Sequence, residues 1–581
     1  MKKNILFVVN LIIAISLFTI NVHAKDITVS IDSDELISGN LTEPSSLSCE
    51  DVVLNYLNSE PSSNFFINEE VDIIDTLFSS LTSSKVSVNN KSLNSNKIGY
   101  KIVSEKKIIP NSSVLEIEQN YEGVPIYGSK QKALLSNKGV LKSISGKSVK
   151  KLIKKPGLMN FSNITKKEAI KYAKDSIGIK SINPEKTEIK RIAYIENEKP
   201  VSSYLVNLAY INPTPANWNV IIDASTGKSL KKYNTSADEF SITSDKTNNI
   251  DFGLDTINEL ESFVSDLKPK SIKNSGTGLY TGECSFMASK FLGKNYLIDQ
   301  TRGKGIWTIN GKKLFFENDS DGSWTLPEQS LSVDTHYNFE LIYDYYKNKF
   351  NRNSYDNNGA LIKNITTLPA DNKNNAFYLS ALNLFIFLEG DGELFNHFTS
   401  LDVVAHEFAH GVTRSESNLI YMDESGAINE AYSDIFATLI EFECDKNPDW
   451  LIGEDVYTPS IEGDSFRSMS DPTICGQPDH VKDQYKDTDD NGGVHINNGI
   501  INKVAYLIAE GGTHYDVEVV GIGKEKLGKI FYDAQIKYLV ETTDFKGLKT
   551  YIIQSATDLY GGGSQEVKSV TDSFNSVGIT N

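Results

Sequence analysis

His406-Glu407-Phe408-Ala409-His410 constrains this chain more than any other stretch of it. A helix turns about 100° per residue, so positions i and i+4 lie nearly one above the other. On a helix the two imidazoles can therefore meet at one tetrahedral Zn²⁺. Glu407 points roughly a quarter turn away, near such an ion but poorly placed to bind it. There it can act as general base on a water activated by the metal. The chemistry this suggests is hydrolysis of a peptide bond. The bland alternative is a helix surface with a chance pair of histidines. With only 8 His in 581 residues, chance is a poor explanation, and the surroundings of the pentapeptide decide.

Histidine is distributed unevenly. Apart from His23, residues 1–335 have none; the other seven are His336, His397, His406, His410, His480, His495 and His514. Chemistry that needs imidazole is thus confined to the C-terminal half. The length suggests three or four domains, and a 39% hydrophobic composition without repeats is globular. A net charge of −18 argues against nucleic acid and anionic membrane surfaces as partners. Lys2 and Lys3, the apolar run from Ile5 to Ile20, and Val22-His23-Ala24 before Lys25 read as a secretory signal peptide over residues 1–24. The protein is expected to be secreted and to leave the membrane on cleavage. The alternative, an uncleaved anchor, suits the run poorly because it is short for a span. Cys49, Cys284, Cys444 and Cys475 form no C-x-x-C pair, so zinc binding by cysteine is not supported, and most of these thiols are expected to be free.

The pattern along the chain is α+β. Residues 115–119 and 140–144 alternate as strands around the Asn137-Lys138-Gly139 turn, 165–177 has helical period, and 204–208 and 218–222 read as further strands. Residues 231–277 read as a linker suited to proteolytic processing, interrupted by a helix near 254–267. Beyond it, strands alternate with a Tyr-rich helix at 334–348. From residue 401 helices dominate, at 401–416, 428–441, 495–509, 524–539, 548–560 and 564–577. A β-rich lobe followed by a helical lobe predicts a cleft between the two.

A catalytic zinc takes three protein ligands and keeps one position open. Gly426-Ala427-Ile428-Asn429-Glu430-Ala431-Tyr432-Ser433-Asp434 is the best source of the third. Glu430 is read as beginning a helix, 20 residues beyond His410, far enough for the chain to turn back. Asp434 follows one turn later on the same face, where it can accept the second N–H of a ligating histidine. The competing reading of Glu430 is a carboxylate stabilised at a helix N-terminus by the dipole.

Several long segments, in order, resemble the thermolysin family of secreted zinc endopeptidases. They are Val403-Val404-Ala405-His406-Glu407-Phe408-Ala409-His410-Gly411-Val412-Thr413, Glu424-Ser425-Gly426-Ala427-Ile428-Asn429-Glu430-Ala431, Arg467-Ser468-Met469-Ser470-Asp471-Pro472 and Asp489-Asp490-Asn491-Gly492-Gly493-Val494-His495-Ile496-Asn497, and the likeness covers residues 275–581. The resemblance implies that His406, His410 and Glu430 bind zinc and that Glu407 activates the water and passes its proton to the leaving amine. His495 and Tyr421 are implied to stabilise the oxyanion, with Asp490 orienting His495 and Asp434 behind the zinc ligands. Arg467 would hold a substrate carbonyl, and Asn375 and Ala376 would pair with extended substrate at a sheet edge. Val403, Val456 and Phe466 would line an apolar pocket for a bulky residue after the scissile bond. Calcium is implied at Asp402, Glu441, Asp449 and Glu454, and at a second loop of Tyr457, Thr458, Ile461 and Asp464. Without the resemblance these carboxylates would read as a solvated acidic surface. Leu451 stands where the family's double-calcium site has a carboxylate, which argues against a second ion there. Tyr378-Leu379-Ser380 replaces the family's usual Trp-Asn-Gly, so substrate contacts at that edge are expected to differ.

Upstream, Gln119-Asn120-Tyr121-Glu122-Gly123-Val124-Pro125-Ile126-Tyr127-Gly128 resembles the propeptide of fungalysin and thermolysin zymogens, and residues 165–227 the small module usually beside it. The implied organisation is a signal peptide (1–24), a propeptide domain (25–150), a second propeptide module (151–232), a linker with the processing site (233–270), a catalytic N-terminal lobe with the zinc helix (271–415) and a helical C-terminal lobe (416–581). The propeptide is expected to assist folding and to block the cleft, and the mature enzyme to act as a monomer on proteins and peptides. Two other readings stay open. One is an exopeptidase of a related zinc fold, against which counts the lack of an obvious trap for a chain terminus. The other is an inactive relative that binds peptides, against which count the intact Glu407, His495 and Tyr421.

Overall fold

The computed structural model describes residues 28–29, 36–59, 98–236 and 253–580, apart from short gaps. The signal segment and much of the linker lie outside the described residues.

Among the described residues of the N-terminal half lie two antiparallel sheets, each carrying a helix. The first runs Thr28–Val29, Leu36–Ser38, Leu141–Ser145, Gln131–Ser136, Ser112–Tyr121, Ile98–Ile108. On one face it packs α1 (Cys49–Ser59), whose Val52, Val53 and Leu57 meet Leu115, Ile117, Ala133 and Leu135. Val114 and Leu134 point the other way and join the main core of the C-terminal half. Both faces of these strands are therefore covered, where an independent antiparallel sheet commonly leaves one to water. The second sheet runs Ser229–Asn234, Ala216–Asp223, Lys199–Tyr210, Lys186–Glu196 and packs α2 (Lys166–Ser176). α2 begins where it does because Thr165 and Glu168 form a capping box. The helix expected inside the linker, α3 (Leu254–Leu267), does more than interrupt it. Its Ile257, Leu260 and Val264 are buried in a core shared with the C-terminal half.

The β-rich part of the C-terminal half has a five-stranded sheet around Lys270–Gly278 and Gly282–Phe291 and a six-stranded mixed sheet. The latter ends at Ala376–Leu379, which among the described residues pairs with Leu384–Phe387 alone. α4 (Ser330–Phe350) is followed by α5 (Leu401–Glu416), α6 (Asp423–Cys444), α7 (Asp490–Glu510), α8 (Lys524–Lys537), α9 (Phe545–Tyr560) and α10 (Gln565–Ser576). α5 is buried nearly all round, as a central helix must be. Phe408, inside the pentapeptide, meets Phe385 of the sheet at 6.2 Å and Phe339 of α4 at 6.4 Å. That packing anchors one side of α5 and leaves the histidine side for α6.

One expectation needs correction. Glu430 does not begin a helix: α6 starts at Asp423, and Glu430 lies about two turns inside it with no exposure. Gly426 lies inside this helix, where it serves close packing. A Cβ there would stand 2.4 Å from Val494 Cγ1 of α7. The helix-terminus reading of Glu430 falls with this. No helix among the described residues is long and apolar enough to cross a membrane.

Candidate metal centre

α5 and α6 bring His406, His410 and Glu430 together. The two Nε2 atoms are 2.9 Å apart, and Glu430 places Oε2 3.3 Å from that of His406 and Oε1 3.3 Å from that of His410. The outer nitrogens are both engaged. His406 Nδ1 lies 2.9 Å from Asp434 Oδ1, and His410 Nδ1 lies 3.0 Å from Asn429 Oδ1 and 3.1 Å from Ser433 Oγ. Bonds to acceptors at Nδ1 turn the Nε2 lone pairs inward, as in ligating imidazoles. Two such lone pairs cannot face each other at this distance without a positive charge between them. Burial disfavours a charged His406, yet Glu430 and Asp434 raise it well above its ordinary value, while burial holds His410 down to about 4. One positive charge, a proton on His406 or a metal ion, therefore suits the pocket. Two imidazole nitrogens and a carboxylate converging on one point are the donor set of a catalytic zinc.

Asp434 ties this centre to the rest of the lobe. Fully buried, it also accepts from Arg467 Nε and Nη2 at 2.9 and 2.8 Å and from the amides of Asn498 and Asn502 at 2.9 and 2.8 Å. Burial would raise its carboxyl, but Arg467 and His406 outweigh that and hold it down to about 2. Asn429, Ser433, Asn498 and Asn502 escape the sequence reading. A signal existed for two of them: Asn498 and Asn502 follow His495 at i+3 and i+7, on one helix face.

A second group adjoins Glu430. Tyr421 donates its hydroxyl to Glu430 Oε1 and lies 3.1 Å from His495 Nε2. His495 Nδ1 is 2.7 Å from Asp490 Oδ1, and its backbone N–H donates to Asp490 Oδ2 at 2.7 Å. This double grip requires a backbone that turns back on itself. Asp490, Asn491, Gly492 and Gly493 are four consecutive residues with positive φ, at 51, 49, 90 and 77°. Asp, Asn and Gly are the residues that tolerate this region. Glu407 sits between the ligating histidines on α5 and is 4% exposed.

The acidic residues also meet. Glu441, Asp449 and Glu454 bring carboxylate oxygens within 4.8 Å of one another. Asp402 lies beside them, bonded to Ser400 Oγ and to the N–H of Gly453, both at 2.6 Å. Burial and the charge of Asp402 push Glu454 up to about 9, and its Oε2 is buried without a hydrogen bond. Hard oxygen donors clustered in this way suit Ca²⁺. Leu451 offers only its backbone to this loop, pairing with Ser468 and donating its N–H to Asp449. At the second loop Thr458 donates to Asp464, whose other oxygen is buried without a partner, while Ile461 is exposed.

The expected substrate residues surround this centre unequally. Ala376 begins the edge strand with Asn375 just before it, and Asn375 Oδ1 accepts the N–H of Ala376 at 2.8 Å. Val403 and Val456 are buried, and Phe466 packs on Phe395 and Phe398 in the same core. Arg467 faces Asp434 with two of its three nitrogens. The N-terminal half reaches the cleft as well. Tyr233 packs against Tyr421 and Val494, Asn491 Nδ2 donates to the carbonyl of Asn234 at 3.0 Å, and Asn217 Nδ2 to Ser380 Oγ at 2.9 Å.

Comparisons with known proteins agree with this geometry. Residues 273–414 match the model of the thermolysin metallopeptidase catalytic domain, and residues 417–579 that of its alpha-helical domain. The chain is 38% identical to a bacillolysin of Bacillus cereus over 563 residues, 96% of this chain and 94% of the relative. It is 40% identical to a thermolysin of Alicyclobacillus acidocaldarius over 478 residues, 80% of this chain and 83% of the relative. Among solved structures, the precursor of protealysin from Serratia proteamaculans aligns at a TM-score of 0.40 and 30% identity, covering 47% of this chain and 87% of that one. The chain therefore belongs to the thermolysin family of zinc metalloendopeptidases.

Proposed function

We propose that His406, His410 and Glu430 hold the zinc ion of a secreted endopeptidase and that Glu407 is its general base. Zinc bound there supplies Lewis acidity, which lowers the pKa of water and polarises a carbonyl. The chain's own groups do the rest. Glu407 takes a proton from the attacking water and delivers it to the leaving amine. His495 Nε2 and the Tyr421 hydroxyl form the donor pair for the oxyanion, and Asp490 sets the angle of the imidazole through Nδ1. Extended substrate adds to the edge at Asn375 and Ala376, and Arg467 holds a substrate carbonyl. Val403, Val456 and Phe466 receive the bulky apolar residue after the scissile bond. Calcium binds at Asp402, Glu441, Asp449 and Glu454, and at the loop of Tyr457, Thr458, Ile461 and Asp464.

The same reading divides the precursor. Residues 25–232 are a propeptide that acts as intramolecular inhibitor and folding aid, the linker at 233–270 is cut, and the mature enzyme is a monomer. The last strand of the second module, Ser229–Asn234, runs on into the first two residues of the linker, and the contacts of its Tyr233 and Asn234 with Tyr421, Val494 and Asn491 favour inhibition, since they lie where substrate must pass. Lys132 and Ser145 favour a role in folding. They donate to the carbonyls of Gln535 and Tyr538, at 2.9 and 2.7 Å, where α8 ends and its carbonyls lack helical partners.

The convergence of His406, His410 and Glu430, each histidine bonded through its outer nitrogen, carries the proposal. To test it, the purified precursor is incubated alone and then assayed on casein with and without a zinc chelator. Self-cleavage followed by chelator-sensitive activity is expected. Activity that survives Glu407→Gln would overturn the mechanism.

A further inference from the structure

The chain has five arginines, four of them in the C-terminal half. Arg302 pairs with Asp299, Glu340 and Asp344 at 2.9, 3.2 and 2.8 Å, Arg352 with Glu416 at 2.8 Å, and Arg467 with Asp434 at 2.8 Å. Arg414 differs. Among the described residues no carboxylate lies within ion-pair distance of it, and it donates instead to the neutral amide oxygen of Asn418, one turn on along α5. It is exposed even with the N-terminal half in place.

Its position is that of a cleft residue. His406, His410 and Arg414 follow one another at steps of four on α5, so they share a face. Arg414 lines one small cavity with His410, Tyr421, Tyr378 and Ser380. Val403, which the proposed function places in the pocket after the scissile bond, lies on the far side of the histidines. At about 1.5 Å per residue, Val403 and Arg414 are ~16 Å apart along the helix, with the metal ligands between them. Arg414 thus flanks the amino side of the scissile bond. It lies ~6 Å beyond His410, the length of roughly two extended residues.

We infer that Arg414 is a specificity residue that favours substrates with a carboxylate side chain two residues before the scissile bond. A guanidinium fork matches a carboxylate in shape and charge. The N-terminal half already sets a carboxylate on this side: Glu188, from the strand Lys186–Glu196, borders the same larger cavity as Arg414. The inference rests on the proposed zinc centre, which gives the cleft its direction.

The test uses the full chain after self-processing. Three peptides carry the same apolar residue after the scissile bond and differ only two residues before it, with Glu, Gln or Lys. Zinc content and thermal unfolding are recorded for each variant. The expected order of kcat/KM is Glu, then Gln, then Lys, with Glu over Gln on the order of tenfold at low salt and shrinking in high salt. Arg414→Gln should bring that ratio towards one, and Arg414→Glu should reverse the order. Glu placed two residues after the bond should confer no preference. Cleavage of all three peptides at rates that ignore charge, or a ratio unmoved by Arg414→Glu, overturns this inference alone. A protein that cleaves none of the three defeats the zinc reading and this inference with it.

Discussion

α5 and α6 carry two buried polar clusters, one near the middle and one towards the other end of their contact. In the first, His406, His410 and Glu430 are wrapped by neutral and charged partners: Asn429, Ser433, Asp434, and behind it Arg467, Asn498 and Asn502. In the second, Asp402 and Glu441 face Asp449 and Glu454, carboxylate against carboxylate. The first cluster carries its own compensation. Its geometry is held by hydrogen bonds whose partners are protein atoms, so the ligands stand ready before any ion arrives. In the second the charges of Asp402 and Asp449 work against that of Glu454, a repulsion that an added cation would relieve. Zinc should therefore matter most for activity and calcium most for stability, although both sites join the same helices.

The sharpest break of this contrast comes at Glu407. Glu407→Gln should lower kcat/KM by about 10²–10⁴-fold while zinc content, measured on the purified protein, stays near stoichiometric. Loss of zinc instead would mean that Glu407 belongs to the binding shell. Asp434→Ala comes next, because it removes the buried carboxylate that Arg467 and His406 share. A loss of about 3–5 kcal/mol in stability and 10- to 100-fold weaker zinc binding are expected, by denaturant titration and competition with a chelator.

Removing calcium while zinc is held constant should lower stability by about 2.7 kcal/mol relative to free calcium at a hundredfold excess over its Kd. Cleavage per folded molecule should change little. Glu454→Gln should shrink that calcium dependence, and a full dependence in this variant would place the ion elsewhere.

A buried cation outside both clusters gives the most gradual effect. Burial lowers Lys132 from 10.5 to about 8. The folded precursor then binds fewer protons than the unfolded chain between about pH 8 and 10.5, so stability should rise with pH across that window and be flat below it. The slope is at most about 1.4 kcal/mol per unit. Comparing Glu407→Gln precursor with and without Lys132→Met by thermal unfolding would check the sign, since the second substitution should remove the slope.

Much of the site is legible before any coordinates. The i, i+4 histidines require a helix, and Glu430 and Asp434 repeat the same spacing on the next one. Helical period is a property of the local backbone, so α4, α5 and α8–α10 appear close to where the pattern places them. The start of α6 does not: the pattern places it at residue 428, while the helix begins at Asp423 and carries Gly426 against Val494, 68 positions away. Arg467 likewise reads as a substrate residue, and only the fold reveals that Asp434 engages two of its nitrogens. In the N-terminal half, the alternation of Ser112–Tyr121 predicts one buried face, yet Val114 on the other face is buried too, under the main core of the C-terminal half.

By itself the sequence determined the chemistry: two imidazoles and a carboxylate in helical register, a base between them, and no histidine in the N-terminal half after residue 23 to compete. These follow from residue identity and from spacings shorter than a few turns, where backbone geometry leaves little choice. The tertiary structure alone decided which charges are compensated, which outer nitrogen meets which acceptor, and that Tyr233 and Asn234 lie against the cleft. Such contacts join residues from about twenty to more than two hundred and fifty positions apart, and across such separations only packing selects the partners.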